Sequence, residues 1–136
     1  MATMAQIREG IAANLATLSD VQVSAYMLAS PTPPAIHVLP GEIAYDRASA
    51  RGLDEVTMLV QAFVSFSSDI GAQKRLDQML APSGAGSVKA AIESDPTLGG
   101  TVADLHVRSA SGYRSLLVEG RGLVLVVEWT VYVMAT

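Results

Sequence analysis

The feature of the sequence that most constrains the fold is its C-terminal segment, residues 121–134, in which apolar residues alternate. Side chains of a β-strand point alternately to the two faces of a sheet. One face of this segment is wholly apolar and is formed by Leu123, Leu125, Val127, Trp129, Val131 and Val133. Val124 and Val126 make the first half of the opposite face apolar as well. Such a strand is either enclosed within the fold or covered by another molecule.

Alternation with a period of two predicts further strands. The clearest covers 54–67, with Thr57, Gln61 and Ser65 on its polar face. Its apolar face is formed by Val56, Met58, Val60, Ala62, Val64 and Phe66. Shorter strands are predicted over 21–27, 35–39 and 102–108. The predicted breaks are the proline-rich loop 30–34, Pro40-Gly41 after the strand 35–39, the arginine-containing loop 45–52 and the turn 109–112.

Three helices are predicted from apolar spacings of three and four residues. The first covers 3–18 and turns Met4, Ile7, Ile11, Leu15 and Leu18 inward. The second covers 70–81, is capped by Ser68 or Asp69, and has a core stripe drawn from Ile70, Gln73, Leu76, Met79 and Leu80. The third begins near Ser87, turns Val88, Ala91 and Ile92 inward, and ends before Asp95-Pro96 and a turn at 98–100.

This order of elements predicts the fold class. One helix, several strands, two short helices and two more strands indicate an α+β fold, since no helix separates each pair of strands. We therefore expect a single domain over residues 1–136. Its sheet would be mostly antiparallel, with the N-terminal helix and the two short central helices packed on one face.

Composition excludes several classes of protein. With 50% hydrophobic residues and a net charge of −4, the chain has enough apolar area to fold. Its apolar runs fall short of the roughly 20 residues of a spanning helix, and its N-terminus lacks the pattern of a secretory signal, so we expect no membrane association. The absence of cysteine fits a reducing compartment. Nine scattered lysines and arginines argue against sequence-specific DNA binding.

Some residues have the types that chemistry needs, but in incomplete patterns. His37, between Ile36 and Val38, is interpreted as a structural or surface histidine. Alternation places Asp104, His106 and Arg108 on one strand face, where Asp-x-His could begin a metal site or orient a general base. No third ligand or nucleophile accompanies them, so a polar strand face explains them equally well.

The segment 83–89 has the glycine, serine and lysine content of a phosphate-binding loop. Lys89 does not follow a glycine, however, and no Ser or Thr follows it, which favours a turn with Ser87 as a helix N-cap. Arg47 and Arg51 are either solvated or contact an acidic partner. The chain also lacks a serine in a Gly-x-Ser-x-Gly pattern. We therefore expect no enzymatic activity, no cofactor and no metal.

The second half of the chain resembles a known family. The residues that carry the likeness are AQKRLDQML at 72–80, GSVKAAIESDPTLGG at 86–100, and Val102. They resemble the tail terminator proteins of long-tailed bacteriophages, especially those of actinobacterial hosts. In that family a Leu-Asp helix precedes a Ser-Val-Lys-x-Ala-Ile helix and a Leu-Gly-Gly turn that enters a strand. The first half agrees more loosely, through its N-terminal helix, Pro-Pro segment, Tyr-Asp loop and long strand.

The resemblance implies a structural role in the virion. Family members form a ring, usually a hexamer, on the head-proximal end of the tail tube, where the ring stops tube polymerisation and offers a surface to the neck. The implied partners are other copies of the chain, the major tail tube protein and a neck connector or stopper protein. DNA would pass through the channel, and the net negative charge would lower its affinity for phosphates. The implied location is the virion tail, after assembly in the host cytoplasm.

Physical reasoning selects where such contacts would lie. A cyclic ring needs two different complementary patches on each copy, so a small chain carries more apolar surface than its own core requires. We assign that surplus to the last strand, covered by neighbouring copies, and the remaining contacts to the segments 30–34, 45–52 and 112–121. The candidate interface residues are Pro33, Pro34, Arg47, Arg51, Tyr113, Arg114 and Arg121.

Two alternatives remain open from the sequence. A head-tail connector or stopper protein of the neck would also be a small α+β ring subunit. A small ligand-binding or metal-dependent enzyme domain would instead use the face of Asp104, His106 and Arg108.

Overall fold

The protein forms one five-stranded sheet with helices on one of its faces. A computed structural model describes residues 3–18, 21–28, 34–44, 54–65, 69–118 and 122–135. Its elements are α1 (Met4–Leu15), β1 (Gln22–Ser24), β2 (Ala35–Ala44), β3 (Asp54–Ser65), α2 (Asp69–Leu80), α3 (Val88–Ile92), β4 (Asp104–Val118) and β5 (Gly122–Ala135). The strand order is β1-β2-β3-β5-β4, and every pair is antiparallel except β1 with β2. This is the α+β arrangement that the sequence predicts.

The main core lies between the helices and one face of the sheet. Ile7, Ile11 and Leu15 of α1 meet Ile36 and Val38 of β2 there. The predicted apolar face of β3 is buried from Val56 to Val64, whereas Phe66 lies outside the described residues. On β5 the apolar face is buried from Leu125 to Val133. Burial of these continuous stripes is the main term that stabilises the fold.

The inward stripe of α2 differs from the prediction. Ala72, Leu76 and Met79 are buried, while Ile70 is 68% exposed and Gln73 is also exposed. The buried residues recur at four- and three-residue spacing, and Ile70 lies two residues before the first of them, on the far side of the helix. The predicted cap Ser68 lies outside the described residues, and the helix begins at Asp69.

Strand β1 is shorter than predicted. It comprises only Gln22–Ser24, because the Ser24 hydroxyl donates to the Tyr26 carbonyl at 2.7 Å and accepts from the Tyr26 N–H at 3.1 Å. Such a local side-chain bond offers the backbone an alternative to the strand ladder and turns the chain. Met27, predicted to be on the strand, is exposed.

Strand β2 continues past the predicted stop at Pro40-Gly41 and ends at Ala44. A register shift between Pro40 and Ile43 marks a bulge against β3. Proline is tolerated at bulges and on edge strands, where a ladder donor is not required. The prediction that Pro40-Gly41 ends the strand is therefore wrong.

Gly41→Ala is expected to destabilise the fold by about 1–3 kcal/mol, the usual range for overpacking. A Cβ at this position would lie 2.7 Å from the backbone carbonyl oxygen of Thr57, so the backbone of β2 or β3 must move. Urea unfolding followed by circular dichroism measures the effect. The control is Gly86→Ala, where the nearest atom to a new Cβ is at 3.5 Å. Equal midpoints for wild type and Gly41→Ala would contradict the prediction.

Strand β4 also differs from the prediction. It runs from Asp104 to Val118, so the predicted turn at 109–112 is wrong. Register shifts lie between Val107 and Ser109 and between Ser111 and Arg114, and Gly112 has a φ of 72°. The turn-forming residues are absorbed as bulges, which are common at sheet edges. Residues 112–118, part of the segment 112–121 that the sequence assigns to interface contacts, are thus the second half of a long edge strand.

Candidate interaction surface

The three predicted interface residues that the structure describes fall at two opposite edges of the sheet. Pro33, Arg47, Arg51 and Arg121 lie outside the described residues. Pro34 precedes β2 at one edge, where its carbonyl accepts the Gln22 N–H at 3.0 Å. Tyr113 and Arg114 lie on β4 at the other edge. The described part of the set therefore divides into two separate surfaces.

The more extensive of these surfaces is the outer edge of β4. All side chains from 108 to 117 are exposed, and β5 is the one strand paired with β4 in the part of the chain that the structure describes. The free edge of a strand presents unpaired backbone N–H and C=O groups, which can pair with another strand. One such donor is already used, since the Val107 N–H is bonded to the Glu93 carboxylate at 2.9 Å. We call residues 109–117 the β4 edge.

The end of the β4–β5 hairpin exposes apolar side chains. Leu117 is 73% exposed and pairs with Leu123, which is 52% exposed. Tyr113 and Leu116 are also exposed on the same strand. Leu123 belongs to the apolar face predicted for β5, but it lies beyond the described pairing with β3, which ends at Val124. The adjacent Leu116-Leu117 pair, which departs from strict alternation, is the sequence signal that could have identified this end.

The second apolar face of β5 is buried inside the chain. Val124 and Val126 have no exposed surface and form a cluster with Phe63 of β3. The interpretation that neighbouring copies cover this face is therefore wrong. An exposed apolar patch lies instead at the hairpin end, at Leu116, Leu117 and Leu123.

A series of side-chain hydrogen bonds crosses the face of the sheet that carries no helices. The His37 Nδ1 accepts the Leu28 N–H at 3.0 Å, so the ring proton is assigned to Nε2, which donates to Gln61 Oε1 at 2.7 Å. Gln61 Nε2 in turn donates to the Glu128 carboxylate at 2.8 Å. His37 is buried and packs edge-on against Phe63. It is a structural histidine, which is one of the two roles that the sequence indicates.

At the candidate site all three side chains, Asp104, His106 and Arg108, are exposed, and the last two contact one aromatic ring. His106 packs edge-on against Tyr132 at 5.8 Å, and the Arg108 guanidinium lies 4.7 Å from the centre of the same ring. Arg108 is the bulged residue between Val107 and Ser109, which explains how it reaches that ring. Among the described residues, no three His, Cys, Asp or Glu side chains are grouped closely enough to hold a metal ion.

The loop 83–89 ends in a buried helix cap. Ser87 is 1% exposed, and its hydroxyl accepts the Ala90 N–H at 3.1 Å and donates to the Ala81 carbonyl. The N-cap interpretation of Ser87 is confirmed. The hydroxyl is thus committed to the protein's own backbone.

Glu93 joins α3 to the sheet just below the β4 edge. Burial raises the pKa of Glu93, but the hydrogen bonds from Lys89 (2.6 Å) and from the Val107 N–H outweigh it and leave the pKa below its usual value. A carboxyl whose pKa is lower in the folded state stabilises the fold above its unfolded pKa. That stability is lost as the pH falls through the folded pKa.

Glu93→Gln is expected to lower the free energy of unfolding at pH 7 by about 1–2 kcal/mol, because two charge-assisted hydrogen bonds weaken. The difference from wild type should shrink as the pH falls below 4.5, the ordinary pKa of this group. Urea unfolding at a series of pH values measures both effects. Asp77→Asn, at an exposed position of α2, is the control for loss of a carboxylate. A difference that stays constant down to acid pH would contradict the prediction.

No family model and no curated protein matches the chain. Among the described residues, no helix is long and apolar enough to cross a membrane.

Proposed function

We propose that this protein is a bacteriophage tail terminator. Copies of the chain would form a ring, a hexamer by the family resemblance, at the head-proximal end of the tail tube. The ring stops tube polymerisation and provides the attachment surface for the neck connector. The protein acts through its surfaces rather than by catalysis, with no cofactor.

The observation that carries the proposal is the β4 edge together with the apolar hairpin end. A long strand that is exposed over nine consecutive positions, 109–117, is a surface suited to pairing with protein. Leu117 and Leu123 add an exposed apolar patch beside it. Neither feature has the concave form and convergent polar groups of a small-molecule site.

The family resemblance supplies the particular assembly. Its residues form α2, α3 and the turn before β4, where Leu98 has a φ of 52° and Gly99 and Gly100 have φ values of 71° and 90°. The Asp95 carboxylate accepts the Gly99 N–H at 2.9 Å and so holds this turn. The similar segment therefore positions the start of the strand whose edge we place at the interface.

The test is genetic. A phage that lacks this protein should produce filled heads and overlong or irregular tails, measured by electron microscopy, and a plasmid copy of the wild-type gene should restore tail length. Tails of normal length that fail to attach to heads would overturn the terminator proposal and favour a stopper of the neck.

A matched variant addresses the enzyme alternative. His106→Ala removes the imidazole of the exposed patch, and His106 is itself an exposed residue. It should restore tail length as well as wild type does. Loss of complementation by a folded His106→Ala protein would count against a role confined to the β4 edge and the hairpin end.

A further inference from the structure

The two edges of the sheet carry opposite charge. Between His106 and Leu117, β4 contains Arg108 and Arg114 and no carboxylate. At the other edge Glu42 of β2 is exposed, and it lines a shallow cavity on the helix-free face together with Glu55. Arg114 is also exposed, and its guanidinium donates to the Gly112 carbonyl of its own strand at 2.8 Å. The two edges are therefore electrostatically complementary.

We propose that the β4 edge of one copy pairs with residues 39–44 of β2 in the next copy, which places Arg114 beside Glu42. This inference rests on the proposed ring and states which surfaces meet in it. Main-chain hydrogen bonds would supply the pairing, and the charges would select the partner edge.

Strand directions permit this pairing. Each step from β2 to β3, from β3 to β5 and from β5 to β4 is antiparallel, so β4 runs antiparallel to β2. If the next copy is related to the first by a rotation about an axis nearly parallel to the strands, its strands keep the same directions. Strand β4 of one copy then lies antiparallel to β2 of the next. Strand β1 pairs with β2 only at Ala35, Ile36 and His37, so in the described structure it leaves residues 39–44 open.

Charge disfavours the symmetric alternative. Two β4 edges related by a twofold axis at Ser111 would place Arg108 opposite Arg114 of the second copy, and like charges directly opposite are destabilising. A pairing of β4 with β2 is heterologous, and heterologous contacts form a ring when the rotation between neighbouring copies closes. At this register the charge pattern therefore favours the heterologous contact over the twofold one.

The register that this pairing needs is compatible with a closed sheet. The heights of the two residues can be compared along β3. Arg114 is level with Phe63, through its pairing with Val126 of β5. Glu42 is level with the stretch between Val56 and Met58, which pairs with β2. The offset along β3 is about six residues, or about 20 Å, across the four strands from β2 to β4, a width of about 19 Å. That ratio corresponds to a strand tilt of about 45°, at the upper end of the range of closed barrels. The Val107 N–H is already bonded to Glu93, so pairing with the next copy would begin after it, at Ser109.

Charge reversal tests the contact. Glu42→Arg and Arg114→Glu, each alone, should weaken self-association at least about tenfold, measured by light scattering and analytical ultracentrifugation at low salt. The chain carrying both changes should recover association. An equimolar mixture of the two single variants should recover it as well, because each edge then meets a complementary edge of the other variant. Arg108→Glu makes the same charge change outside the β4 edge, and Glu42→Arg should not rescue any weakening it causes.

Cross-linking supplies a measurement that does not depend on charge. The chain has no cysteine, so Pro40→Cys with Ser115→Cys gives one thiol on each edge. A short bismaleimide should convert this double-cysteine chain into a ladder of covalent oligomers. Gln73→Cys with Ser115→Cys, which moves one thiol to the exposed face of α2, should not form the ladder.

Association that is insensitive to both charge reversals, or a mixture that fails to recover it, would overturn the edge pairing. So would a wild-type chain that does not associate with rising concentration, together with a double-cysteine chain that yields no ladder. Neither result changes the tail-length experiment, in which normal tails would overturn the proposed function itself. The two failures are thus distinguishable.

Discussion

Asn14→Asp is expected to be among the most destabilising single substitutions, at about 3–5 kcal/mol at pH 7, the range for a buried charge left without a partner. Asn14 is 8% exposed, and its Nδ2 donates to the Ile92 carbonyl at 2.9 Å and to the Asp95 carbonyl at 3.0 Å. A carboxylate there has no proton to donate and faces two carbonyl oxygens. The two hydrogen bonds that hold α1 to the end of α3 would be replaced by electrostatic repulsion.

The measurement is urea unfolding, followed by the fluorescence of the single tryptophan, Trp129, which is buried. Asn14→Ala is the matched control and should be less harmful, at about 1–3 kcal/mol, because it leaves carbonyls unsatisfied without adding charge. Destabilisation by Asn14→Asp should lessen as the pH falls and the new carboxyl takes up a proton. An Asn14→Asp variant as stable as wild type at pH 7 would contradict this account of the α1–α3 contact.

Trp129→Ala is expected to destabilise the fold by about 3–5 kcal/mol, since it removes the largest fully buried side chain and leaves a cavity. Small domains are stable by only about 5–15 kcal/mol, so a substantial fraction of the variant would be unfolded at 37 °C. Circular dichroism is the readout here, because the fluorescent residue is lost.

Tyr113→Ala is the matched control for Trp129→Ala. It removes another aromatic residue of the β4–β5 pair, but one that is 45% exposed. Its effect on the free energy of unfolding should stay within about 0.5 kcal/mol. Equal effects of the two substitutions would contradict the assignment of Trp129 to the buried core.

The sequence predicted the main elements and the fold class because those depend on local periodicity. The alternation in β3 and β5 and the spacing of Ile7, Ile11 and Leu15 correspond to buried faces in the structure. The cap at Ser87 followed from residue type and position. Each of these features is decided within a few neighbouring residues.

The errors in β2, β4 and β5 arose where a distant part of the chain decides the outcome. Pro40-Gly41 and the segment 109–112 contain turn-forming residues, yet pairing with β3 and β5 absorbs both as bulges. The sequence shows that the face of Val124 and Val126 is apolar, but not whether the chain itself or a partner covers it. The structure shows that both residues are buried within the chain, in a cluster with Phe63.

The sequence by itself therefore determined which segments form strands and helices and which faces are apolar, because side-chain periodicity follows from backbone geometry. The tertiary structure decided which strand lies at an edge, and hence where exposed backbone and opposite charges are found. Strand order depends on pairings between residues far apart in the chain, which no local pattern records. That order places Arg114 on one edge of the sheet and Glu42 on the other.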